Sequence, residues 1–180
     1  SVMMETGFSL ISLGLGGVFG LNAMLLLCIP RAIALALWSI SLSSLMEKHP
    51  SLLLDDVKGA GRTLPFAAGG TLIACLSLAG LPLLASFPPH QAIWDNLARQ
   101  SIIMAAWVLA GSFGMAFSAF RMMNMLALSD ENAAWQSHEP KHRRILIVIA
   151  SLALLLIVLL PSWAAAVLQN LPALFGQVGR

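Results

Sequence analysis

Glu5, Arg31, His90 and Arg121 are ionisable residues standing in or beside long apolar runs of this chain. A charge deep in hydrocarbon costs from about 2.5 to 17 kcal/mol, so each such group needs a partner or a wet cavity. His90 has an ordinary pKa near 6.5 and can take up and release a proton close to neutrality. It could relay protons, or it could cap the second half of an interrupted helix. Arg31 does not deprotonate in proteins. If deep, it is a fixed positive charge that biases its neighbours; if Pro30-Arg31 is a loop, it is interfacial. Glu5 could take up protons at a helix end or simply be solvated there. Arg121, near the end of its apolar run, can reach the interface with its long stem. Asp95 and Arg99, spaced i,i+4 with the acid first, read as an ordinary helical ion pair.

The elements that would position these groups are apolar helices. Hydrophobic residues make up 58% of the 180 residues and charged residues 10%, with a mean hydropathy of +0.85. Soluble proteins average roughly 45–50% and about 25%. At about 20 residues per span, five or six crossings fit. The chain opens Ser1-Val2-Met3-Met4-Glu5, neither a basic leader nor a cleavage signal, and reads as the interior of a longer protein.

Residues 1–46 are too long for one crossing and must fold back. The only turn chemistry is Gly16–Asn22, which predicts a first helix over about 2–16 and a second over about 20–46. That puts Glu5 near the cytoplasmic end of the first helix and Arg31 roughly 16 Å into the second. No acid is obviously level with Arg31, so its partner is expected from outside these helices. Residues 47–63 form a polar loop. A third helix starts near Leu64-Pro65.

This third helix carries Ala79-Gly80-Leu81-Pro82 and then Pro88-Pro89-His90. Proline removes a backbone donor and clashes with the preceding turn. A break is therefore expected between Gly80 and Pro89, with the helix resuming at His90–Gln100. Interrupted backbone at membrane depth needs protein or a water-filled cavity to satisfy it, and ion transporters build sites at such breaks. A fourth helix follows at about 101–128, with small residues suited to close packing in lipid. A polar loop at 129–144, a fifth helix at about 145–161 and an amphipathic, interfacial tail at 162–180 complete the chain.

The fold expected is all-α and integral to the membrane: five transmembrane helices, one broken near Gly80–Pro89, plus the C-terminal tail, with 1–161 as one helical bundle. The loops at 47–64 and 129–144 hold most of the Lys and Arg, which makes them cytoplasmic. Cys28 and Cys75 have no ligand spacing, and phosphate loops, clustered metal ligands and nucleophile–base pairs do not occur in the sequence. Neither a cofactor, a metal nor nucleic acid is expected.

The order of parts resembles the C-terminal part of the antiporter-like membrane subunits of respiratory complex I, shared with Mrp-type antiporters and membrane-bound hydrogenases. That family shows a stretch like SSISHMGFxLxG, a glycine-rich turn, a helix with HxxFKALLFL, and a later helix of the form MPxTxxxFxxxxLxLAGLPPxxGFxxK. Ser1–Phe8, Gly16–Leu21, Pro30–Leu37 and Leu64–Phe87 stand at those places, and Phe120-Arg121 at the family's YYxLR close. Glu5 stands where the family has His or Gln, Arg31 where it often has His, Leu35 where it often has Lys, and Ser86 where it has Gly. His90 takes the place of its essential Lys or Glu.

The resemblance implies a subunit that takes part in proton translocation within a NADH:quinone oxidoreductase-type complex in a bacterial inner membrane. Such a chain would not be catalytic alone, and would have other membrane subunits, lipid, and protons or sodium ions as partners. The proton-path candidates are His90, Arg31 and Glu5, with Gly80, Pro82, Pro88 and Pro89 forming the break. The rivals are a degenerate copy with structural duty only and a cation/proton antiporter subunit.

Overall fold

A computed structural model describes residues 2–48, 59–127 and 139–159. These form helices α1 (Val2–Gly14), α2 (Gly17–Lys48), α3 (Ala60–Thr63), α4 (Pro65–Leu78), α5 (Phe87–Gln100), α6 (Ile102–Ala127) and α7 (Lys141–Leu159). The protein is all-helical, and three helices are long and apolar enough to cross a membrane: Gly20–Glu47 of α2, Ile102–Leu126 of α6, and α7. The other two expected crossings take a different form. α1 has 13 residues and α4 has 14, each roughly 20 Å long, so alone neither spans a hydrocarbon core of about 30 Å. The tail at 162–180 and most of the two polar loops lie outside the described residues.

α1 and α2 form an antiparallel hairpin whose turn is only Leu15-Gly16, much shorter than the expected Gly16–Asn22. Gly20 serves a different purpose from turning. A Cβ there would run into the Ser12 carbonyl, so its lack of a side chain lets the two helices approach closely. Pro30 lies inside α2 without ending it, although it removes one ladder donor.

α2 is the central helix, and its two halves face different cores. Its C-terminal half, with Ala34, Leu37 and Leu45, is buried with Leu64, Ala67, Ala74 and Leu78 of the α4 region, Leu126 of α6, and Ile147 and Leu154 of α7. Its N-terminal half, with Ala23 and Leu27, packs with Phe8 of α1, Ile93 and Leu97 of α5, and Ala105 of α6. Between these apolar layers lies the level of Pro30-Arg31 and the end of α4.

One end of the bundle is tied by polar groups. The Ala67 N–H, third in α4 and without a ladder partner, donates to Glu139 Oε1 at 2.8 Å, which caps that terminus. Arg143 pairs with Glu47 at 2.5 Å, and the Arg144 guanidinium lies 4.4 Å from the Phe66 ring centroid. The basic cluster expected in a loop is thus the first turn of α7, which starts four residues earlier than the apolar pattern suggests. Cations are disfavoured at a helix N-terminus; here the Glu47 and Phe66 contacts offset that. α3, also inside an expected loop, donates from the Arg62 N–H to Gly59 O at 3.0 Å.

Candidate functional site

The interruption after α4 opens with backbone groups that the end of α4 itself satisfies. The Gly80 N–H donates to Ser77 O at 3.0 Å and the Leu81 N–H to Leu76 O at 3.2 Å, while the Ala79 N–H reaches Cys75 O at 2.9 Å. With Gly80 at φ +73°, this is a Schellman close, followed by Pro82. The residue in that left-handed position needs no Cβ. On the far side, α5 resumes at Phe87 rather than His90. Pro88 and Pro89 sit in its first turn, where a missing N–H costs nothing because those donors have no ladder partner. The Phe87 N–H goes to Leu84 O at 2.9 Å. Pro88 and Pro89 therefore start the second helix, and the break itself runs from Ala79 to Ser86.

His90 lies one turn into α5, on the buried face with Pro89, Ile93 and Leu97. Its side chain is 0% exposed. Its Nδ1–H donates to the Ser86 carbonyl oxygen at 2.6 Å. The Phe8 ring meets it nearly edge-on with centroids 4.3 Å apart, and the Trp94 ring centre is 5.9 Å away. Gly80 closes a further side.

Glu5 and Arg31 come to the same place. Arg31 Nε donates to Glu5 Oε2 at 2.9 Å. Its Nη2 donates to the Glu5 carbonyl and to Ser9 Oγ, each at 2.6 Å. The expectation that Arg31 draws its partner from outside these helices is corrected: the partner is Glu5 of α1. Glu5 is not a solvated helix end either, since its side chain is 1% exposed against 19% for Arg31. The two-residue turn sets the hairpin register that brings them together. Ser9, one turn after Glu5, completes the arginine's contacts.

The other carboxylate oxygen, Glu5 Oε1, faces His90 Nε2 across 3.8 Å. Neither atom has a hydrogen-bond partner among the described residues. A buried polar atom left unpaired costs about 1–3 kcal/mol, and at 3.8 Å the two are too far apart to bond each other directly. The site thus offers a fixed cation, a carboxylate neutralised on one oxygen, and an imidazole facing the other oxygen.

The three proton-path candidates and Gly80 are brought together; Pro82 lies in the break and is exposed. Arg121 is on the exposed side of α6, and Asp95 and Arg99 are on the exposed side of α5. Sequence reasoning missed Ser9 and Ser77, and named Ser86 only as standing at a glycine position of the resembled family. The i,i+4 spacing of Glu5 and Ser9 is a signal that could have found the first. Behind Gly80 and Pro82, an apolar cavity of about 260 Å³ is bounded by Phe87, Trp94 and Phe113, with no ionisable group in its walls. Among the described residues no group of His, Cys, Asp and Glu could hold a metal ion.

The sequence matches no protein-family model and no curated protein.

Proposed function

We propose that this chain is part of an antiporter-like membrane subunit that takes part in proton translocation within a NADH:quinone oxidoreductase-type complex. One observation carries the reading. A carboxylate, an arginine and a histidine from three helices meet at the level of a helix break, where buried charge has to be justified by use or by pairing. A proton arriving at the Glu5–His90 gap can rest on either group, with Arg31 holding the carboxylate's other oxygen. In this reading α4, the break and α5 act as one interrupted crossing, the loops around 47–64 and 129–144 face the cytoplasm, and other membrane subunits complete the path in a bacterial inner membrane. Sodium in place of protons is the antiporter variant.

A specific observation favours the structural-subunit reading: Glu5 and His90 are sealed from solvent and Arg31 is held by three acceptor contacts. The experiment that separates the two is proton translocation by the reconstituted complex carrying His90→Gln. A large loss of translocation with assembly intact supports the relay, because glutamine keeps similar size and hydrogen bonding. Unchanged translocation overturns it in favour of structural duty.

A further inference from the structure

Ser77, in the last turn of α4, and Ser86, the residue before α5, stand on opposite sides of the break with their hydroxyl oxygens 3.2 Å apart. Both are buried, at 0% and 1% exposure. Ser86 follows Ala85, which is buried in the main apolar core, but the backbone leading up to it is loosely bonded. It ends the break three residues after Leu83, which has a left-handed φ of +75° in an exposed position, and the Leu84 N–H reaches Leu81 O only at 3.4 Å. The Ser77–Ser86 hydrogen bond is the polar tie from the end of the break back to α4, beside the apolar burial of Ala85. From Ser86 the constraint passes to the imidazole. Its carbonyl oxygen accepts both the His90 backbone N–H at 3.2 Å and the ring Nδ1–H at 2.6 Å.

A carbonyl can only accept, so the ring nitrogen at that distance has to carry the proton. Which nitrogen of a histidine is protonated is set by the hydrogen bond the other makes. With Nδ1–H engaged, the neutral ring presents its lone pair at Nε2, the atom that faces Glu5 Oε1.

We propose that the Ser77–Ser86 hydroxyl pair is a positioning device that locks His90 in its Nδ1–H tautomer, so that the ring accepts a proton only at Nε2, from the Glu5 side. Gly80 leaves room for this orientation by lacking a Cβ against the ring. Proton exchange at His90 is then one-sided. The proposal deepens the proton-translocation reading and rests on it for what the one-sidedness serves, whereas the tautomer itself stands apart from transport.

The test is nitrogen NMR of the full chain in lipid bilayers with ¹⁵N-labelled histidine, the His90 signals being assigned among the four histidines by their loss in His90→Gln. The wild type is expected to show one ring environment, with Nδ1 protonated and hydrogen-bonded. Ser77→Ala and Ser86→Ala are each expected to replace it by a mixture of tautomers, the double variant being no worse than either single. Ser77→Thr, which keeps the hydroxyl, is expected to preserve the wild-type signal and serves as the folded control. A wild-type ring protonated at Nε2 with Nδ1 bare overturns the proposal. So does a single Nδ1–H signal that survives both alanine variants. If translocation proves independent of His90 while the tautomer responds to the serines, the transport reading fails and the positioning inference stands.

Discussion

Gly80 touches His90 across the helix break: a Cβ built on the glycine would lie 2.8 Å from the imidazole Cγ and 3.0 Å from Cδ2. The glycine is needed twice over, for its left-handed φ and for the space its missing side chain leaves to the ring.

Gly80→Ala is therefore expected to destabilise the protein by more than the roughly 1–2 kcal/mol of a left-handed non-glycine residue, since the ring must also shift to make room. Thermal unfolding in detergent measures the first effect and the His90 ring signals the second. Gly111→Ala on the exposed face of α6, where a Cβ meets nothing within 4 Å, is the clash-free control, expected to be stabilising by up to about 1 kcal/mol. Equal melting of the two variants would contradict the contact.

Removing one partner of a buried ion pair is worse than removing both. Arg31→Met leaves the Glu5 carboxyl without its guanidinium and is expected to cost about 3–5 kcal/mol. The double variant Glu5→Gln/Arg31→Met is expected to recover most of that, because no buried charge remains. A double-mutant cycle on unfolding in lipid or detergent reads the coupling, and additive losses would show that the two side chains do not act as a pair.

At the polar end, two contacts look alike and should behave differently. Glu139→Ala removes the cap on the Ala67 N–H and is expected to cost on the order of 1 kcal/mol. Glu47→Ala breaks a pair whose acid is 62% exposed, and is expected to change stability by well under 1 kcal/mol and less still in high salt. Melting curves at low and high ionic strength check both; a Glu47 effect as large as that of Glu139 would reverse the assignment.

The apolar helices and the interruption were readable from the chain, since Ala-Gly-Leu-Pro carries both the glycine that closes a helix and the proline that stops it continuing. The role of Pro88-Pro89 was not, because the same residues can end one helix or begin another, and the choice depends on where the Schellman close falls. The pairing of Glu5 with Arg31 was hidden for a related reason. It depends on hairpin register, and a glycine-rich stretch such as Gly16–Asn22 does not say which glycine turns the chain. Gly20 proved to serve helix contact, which shortened the turn and drew Glu5 down to the level of Arg31. The length of α7 was hidden too, since its basic first turn is held by Glu47 and Phe66, far away in sequence.

A helix end that closes on itself can form before its neighbours arrive. The segment from Pro65 to Gln100 spends its exceptional backbone groups on itself: three of the last α4 carbonyls accept from within the break, and two of the first three α5 residues have no N–H to satisfy. The end of α4 therefore asks for no group from another helix in order to close. The close of α4 travels with its own solution, set by the order Ala79-Gly80-Leu81-Pro82 alone.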